Sequence, residues 1–272
     1  MEFAVDPGAV ILVATAEGLY LRALHVLSGR GVDVPRLQIV LWHLGIALWA
    51  IGFFSPIHTL GDDLLSFHMA QHLLIADLAA PLLLAGARNP VLAFLLPRPA
   101  LVTLARSGAP RRAFRWLRQP LVAVPVYALV LYGWHFSIFF QAAVRHPFVH
   151  ALQHMSFVAI GILVWWSALE PKRRRLHGDL WKIPYLLGAR MVGMMLGMSF
   201  VLIRVPIYTG VYPAGERRFG LSALADQQIA GAMMVSLDLL IMGFALCFFF
   251  FKASQQADRD EQREREALLT SP

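Results

Sequence analysis

Two five-residue words in this chain carry side chains that could do chemistry: His68-Met69-Ala70-Gln71-His72 and His150-Ala151-Leu152-Gln153-His154. Each reads His-x-x-Gln-His, and each opens an aliphatic run about one membrane span long. At spacing i, i+4 the two imidazoles of a word share one helix face, one turn apart. Imidazole is the commonest protein ligand for transition metals, and it is costly to hold near a bilayer without a partner. Two such pairs in one chain point to a metal or haem site.

The elements that must position these words are membrane helices. The hydrophobic fraction is 58% with only 15% charged residues, which sets the chain apart from soluble domains. Seven apolar spans are expected, at about 9–28, 37–56, 66–86, 121–140, 148–169, 184–204 and 227–251, punctuated by Pro35, Pro56, Pro120, Pro147, Pro171 and Pro184. The expected fold class is all-α, a polytopic membrane helix bundle forming a single domain over 1–251, with a polar cytoplasmic tail over 252–272. That tail reads as a frayed helix or disorder. Segment 90–106 is apolar but broken by Pro97 and Pro99, and is expected to lie at the interface or re-enter rather than cross. The N-terminus, Met1 to Asp6, lacks the basic region of a cleaved signal peptide, so the first helix is expected to be retained.

Charge orients the bundle. One set of connections holds eighteen cations, including Arg88, Arg98, Arg106, Arg111, Arg112, Arg115 and Arg118 in 87–120, and Lys172 to Arg175 with Lys182 in 170–183. The alternate set holds Arg145, Arg217 and Arg218. This bias places the N-terminus outside and the C-terminus inside, a parity that seven spans satisfy. The net charge of +7 therefore sets topology, and no nucleic-acid partner is expected. Cys247 is the only cysteine, so no disulfide framework or Cys-x-x-Cys site forms within the chain.

With that topology the histidines gather at one level. His68, His72, His150 and His154 occupy the first turns of two helices entering from outside, and His135 closes a helix that exits there. At ~1.5 Å per residue, His72 and His154 lie only ~6–9 Å below the outer surface. Asp226, in the first turn of the last span, is at the same level and could ligate, orient a ligand or cap a helix. Copper is the preferred metal, because imidazole suits it and the thioethers of Met69, Met155, Met233 and Met234 are close in sequence or depth. The Met191, Met194, Met195, Met198 stripe reads first as core packing, and second as a ladder for Cu(I). A bis-histidine haem is the competing site. Glu17, Asp77, Asp238 and Arg190 fall within spans, as an interhelical ion pair or a proton or cation path.

These motifs resemble the caa3-type CtaG family of cytochrome c oxidase assembly factors. The resemblance rests on Ser66-Phe67-His68-Met69-Ala70-Gln71-His72-Leu73-Leu74 with Ala80-Pro81-Leu82-Leu83-Leu84, then on Trp134-His135, then on His150 to Phe157 with Trp165-Trp166. Asp226-Gln227-Gln228, Gly231 and Met233-Met234 complete it in the same order, over roughly 40–250. It implies a multi-pass plasma-membrane protein that matures a haem-copper oxidase, with copper as its metal. The implied partners are cytochrome c oxidase subunits, membrane lipid and a copper donor protein. The family positions correspond to His68, His72, His135, His150, His154 and Asp226. One departure stands out: the family usually places a proline after Trp134-His135, where this chain has Phe136-Ser137. The alternatives left open are a haem-b-binding membrane electron-transfer protein and a copper transporter. No phosphate loop, nucleophile elbow or zinc-protease word supports an enzyme.

Overall fold

The computed structural model describes residues 7–54, 56–169, 180–212 and 215–270. The N-terminal residues Met1 to Asp6 and the basic run Lys172 to Arg175 lie outside them. The described residues form helices α1 (Pro7–Ser28), α2 (Arg36–Phe54), α3 (Pro56–Gly61) and α4 (Leu65–His72), a π-helical turn (Leu73–Leu78), and α5 (Ala79–Gly86). After them come α6 (Leu92–Leu95), α7 (Arg98–Arg106), α8 (Gly108–Leu117), α9 (Pro120–His135), α10 (Ser137–Arg145), α11 (Pro147–Leu169), α12 (Lys182–Leu202) and α13 (Ala223–Thr270). Pro7, Pro56, Pro120 and Pro147 each stand first in their helix, where a fixed φ helps and a missing N–H costs nothing.

Six helical stretches are long and apolar enough to cross a membrane: α1, α2, Leu65–Gly86, α11, α12 and the first part of α13. The pair α9 and α10 is long and apolar enough only when taken together and is bent by 67°, the form of a broken span or a re-entrant loop. The protein is an all-α, multi-pass membrane bundle. The Leu65–Gly86 stretch, α11 and α12 are its most enclosed spans, and α1 and α13 its most peripheral.

Several local features depart from a straight reading of the apolar runs. The span expected over 121–140 breaks at Phe136, whose extended backbone (φ −64°, ψ 136°) ends α9 just after His135. The His135 carbonyl then has no next-turn amide to accept from, and the Tyr208 hydroxyl donates to it at 2.7 Å. The third span carries a π-helical turn immediately after His72, which resets the faces that follow it. Segment 87–120 folds as the three short helices α6 to α8. The polar tail is helical, α13 running on to Thr270. Met191, Met195 and Met198 face outward and are exposed, with Met194 half-buried beside them, so three of the four stripe residues do not pack the core. The inner face of α12 is instead Ala189, Arg190, Gly193, Leu196, Gly197 and Phe200. A Cβ on Gly197 would stand 2.9 Å from the Gly231 carbonyl oxygen, and the pair of glycines lets α12 and α13 approach backbone to backbone.

Candidate metal centre

The doubled word lands as a four-ring cluster. On α4 the His68 and His72 ring centroids are 4.4 Å apart, and on α11 those of His150 and His154 are 4.2 Å apart. Across the two helices, His68 stacks on His150 at 5.2 Å and His72 meets His154 edge-on at 5.2 Å. One ring nitrogen from each of His68, His72 and His150 lies within 4.8 Å of the other two. Bonds of ~2.0–2.1 Å at tetrahedral angles hold ligand atoms about 3.4 Å apart, so modest ring rotations separate this arrangement from a coordinating one.

The environment is apolar. His68 is only 1% exposed and His154 3%, with Phe53, Phe140 and Phe157 against the rings at 5.7, 5.0 and 4.6 Å. Nε2 of His68, both nitrogens of His72 and Nε2 of His154 have no hydrogen-bond partner among the described residues. A buried polar group left unpaired costs about 1–3 kcal/mol, so a cluster of them is uphill unless something binds there. Among the described residues no carboxylate belongs to the group.

A cavity of about 120 Å³ flanks the cluster, lined by Phe53, His58, Pro147, His150, Ala151 and His154. His58, on α3, stacks over His150 at 6.0 Å. The glutamine of the first word explains why it stays there. Gln71 Nε2 donates to the Gly52 carbonyl at 2.9 Å and sits 3.0 Å from His58 Nδ1, tying α2, α3 and α4 together at the cavity wall. His58 falls between the spans expected over 37–56 and 66–86, and nothing in its spacing links it to Gln71.

His135 and Asp226 take different places from the four rings. His135 lies one layer away, its Nδ1 2.7 Å from the Leu131 carbonyl and its Nε2 3.4 Å from the Met69 sulfur. The structure does not bring Asp226 among the imidazoles. Its carboxylate accepts the Leu65 and Ser66 amides at 2.8 and 3.0 Å and pairs with Arg217 at 2.5 Å. It therefore caps α4, the helix carrying His68 and His72, rather than its own helix. A cap across 160 residues of sequence is invisible to spacing arguments, and Arg217 carried no signal beyond being one of few outer cations.

The segment between α12 and α13 closes the histidine end of the bundle. Tyr208 stacks on Phe140 at 4.0 Å, Tyr212 donates to the Gly61 carbonyl at 2.8 Å, and Arg217 lies over the Tyr212 ring at 5.1 Å. Burial pushes both tyrosine hydroxyls well above their ordinary range, helped at Tyr212 by the Asp226 carboxylate, so both remain neutral donors.

A second buried cluster lies deeper. Arg190 on α12 pairs with Asp77 on the π turn and, at 3.2 Å, with Asp238 on α13. Its guanidinium also faces the Tyr127 and Trp165 rings at 5.3 and 6.0 Å. Glu17 is elsewhere, accepting from Trp42 Nε1 at 2.8 Å and lying 3.1 Å from His43. A small cavity of about 30 Å³ touches both clusters, with Met69, His72 and His135 toward one end and Asp77 and Asp238 among its other walls.

The family model for cytochrome c oxidase caa3 assembly factors (Caa3_CtaG) matches residues 18–256. The chain is also similar to the uncharacterized proteins Mb0105 of Mycobacterium bovis and MT0111 of Mycobacterium tuberculosis. Each is 23% identical over 271 residues, covering 94% of this chain and 39% of the relative. The uncharacterized protein ML1998 of Mycobacterium leprae is 26% identical over 210 residues, 73% of this chain and 31% of the relative. The chain thus spans less than two fifths of the length of these relatives. No solved structure matches it.

Proposed function

The chain belongs to the cytochrome c oxidase caa3 assembly factor family, and on that premise we propose that it helps mature a haem-copper oxidase by holding copper at the four-histidine cluster. The single observation that carries this reading is the set of buried, unpartnered imidazole nitrogens contributed by two facing helices. Copper is cargo here, bound by His68, His72, His150 and His154 and released to an oxidase subunit docked at the same end. Binding to nitrogen donors without a carboxylate leaves the cation uncompensated, which suits a carrier that must let go.

The placement is in the plasma membrane, near the outer leaflet. α12 ends at Leu202, so Arg204 joins Arg145, Arg217 and Arg218 on the cation-poor side. The contrast with the other side remains steep, and the histidine end is the cation-poor one. Haem fits less well. Small-molecule and cofactor sites run to about 300–1,000 Å³, whereas the cavity beside the cluster is about 120 Å³. The paired rings also stand too close together for a macrocycle between them.

The test is the copper content of the oxidase in cells carrying wild-type protein, no protein, or His72→Ala with His154→Ala. The expected result is an oxidase equally depleted of copper in the last two. Full metallation with the double variant present at normal levels overturns the reading.

A further inference from the structure

We propose that Met69 and His135, with Met234 across the cavity, form a second metal site, specific for a soft monovalent cation such as Cu(I), inward of the four-histidine cluster. His135 Nδ1 is 2.7 Å from the Leu131 carbonyl oxygen, which can only accept, so Nδ1 carries the proton. In a neutral ring Nε2 is then a lone pair. It points at the Met69 sulfur, 3.4 Å away, and a thioether is also an acceptor without a proton to give. Two buried acceptors facing each other lack the donor that would make the contact favourable.

Two things could supply it: a second proton on His135 or a cation between the atoms. An imidazolium here would be an expensive buried charge to hold, because the carboxylates on the same cavity, Asp77 and Asp238, are already paired with Arg190. Its neighbours are Phe140, Phe157 and Phe200, at 6.4, 6.1 and 5.8 Å. A metal fits the spacing. Bonds of ~2.0 Å to nitrogen and ~2.3 Å to sulfur, near a tetrahedral angle, put the two atoms about 3.5 Å apart.

Room and further donors are present. The 30 Å³ cavity beside the pair is also lined by His72 and by Met234, which is 4% exposed. Imidazole with two thioethers is a soft set that selects Cu(I) over Zn(II), whereas the all-imidazole cluster takes either. His72, with both ring nitrogens unpartnered among the described residues, stands between the two sites. The inference rests on the copper reading only for the route by which metal arrives, since the donors of this site are its own.

The test uses the full chain in detergent, titrated with Zn(II) and, separately, with Ag(I) as an air-stable soft monovalent probe. The expected result is one Zn(II) and two Ag(I) per chain. Met69→Leu, which nearly conserves volume, should remove one Ag(I) and leave Zn(II) unchanged. His72→Ala with His154→Ala should remove Zn(II) and leave an Ag(I) whose absorption spectrum retains sulfur scattering. Met234→Leu provides a second variant on the same cavity, expected to weaken that Ag(I) by at least tenfold. A single Ag(I) without sulfur scattering, or a second one indifferent to Met69→Leu, overturns the proposal. Loss of Zn(II) binding alone in the wild type would sink the histidine-cluster reading and leave this one standing.

Discussion

Two buried polar clusters sit in one bundle and solve the cost of burial in opposite ways. The Arg190, Asp77 and Asp238 group is paired in charge: both carboxylates meet the guanidinium at Nη1, while Nε and Nη2, without a hydrogen-bond partner among the described residues, lie in a guanidinium that faces aromatic rings. The four-histidine group is open, its rings packed against one another and against phenylalanine, with nitrogens of His68, His72 and His154 unpartnered among the described residues. Charge in a low-dielectric interior must be offset, and the first cluster offsets it with its own side chains. The second carries no paired charge and, among the described residues, leaves ring nitrogens of His68, His72 and His154 without a hydrogen-bond partner. The difference separates a cross-link, which joins the π turn, α12 and α13, from a receptor that needs a ligand. The Asp226 and Arg217 pair belongs with the first kind, although it stands next to the second.

This contrast can be broken or sharpened by substitution, beginning with the largest effect. Arg190→Met strands two buried carboxylates and should cost about 3–5 kcal/mol, read as a collapse of the thermal unfolding temperature in detergent. Asp226→Asn removes the charge that Arg217 and the α4 amides share. A loss of about 2–3 kcal/mol is expected, with weaker metal binding because the His68 and His72 helix loses its cap. Tyr208→Phe deletes one hydrogen bond to the His135 carbonyl and should cost about 1 kcal/mol. In metal-free protein His72→Ala with His154→Ala should change stability least, within about 1 kcal/mol, because the cavity left is offset by removal of unpaired nitrogens. If metal-free unfolding instead showed the histidine double variant as damaging as Arg190→Met, the two clusters would be alike and both structural.

Much of this was legible beforehand, for definite reasons. Hydropathy reports burial in lipid directly, so six of the seven expected spans could be read from apolar runs such as Leu73–Leu84 and Phe157–Ala168, and the seventh, over 121–140, is the bent pair. The i, i+4 word fixes a helix face, which is why His68, His72, His150 and His154 could be placed together. What a face meets is a different matter. Asp226 was at the right depth but reaches the amides of Leu65 and Ser66. His58 joins the site only because Gln71 holds it. Met191, Met195 and Met198 have regular helical spacing and still point outward. The break at Phe136 replaces the proline that the family resemblance had led one to expect, and tertiary contact from Tyr208 completes it. In each case the deciding partner lies far away in sequence.

The most direct test is metal stoichiometry on the full chain, purified in detergent, loaded with copper under reducing conditions and freed of excess ion. Wild-type protein should retain copper at the four-histidine cluster, with a thermal unfolding temperature raised by the metal. In the His72→Ala with His154→Ala variant, folded and monodisperse, the cluster's copper and its stabilising shift should both be lost. Equal copper content and an equal shift in wild-type and double variant would contradict the assignment of the cluster as a metal centre.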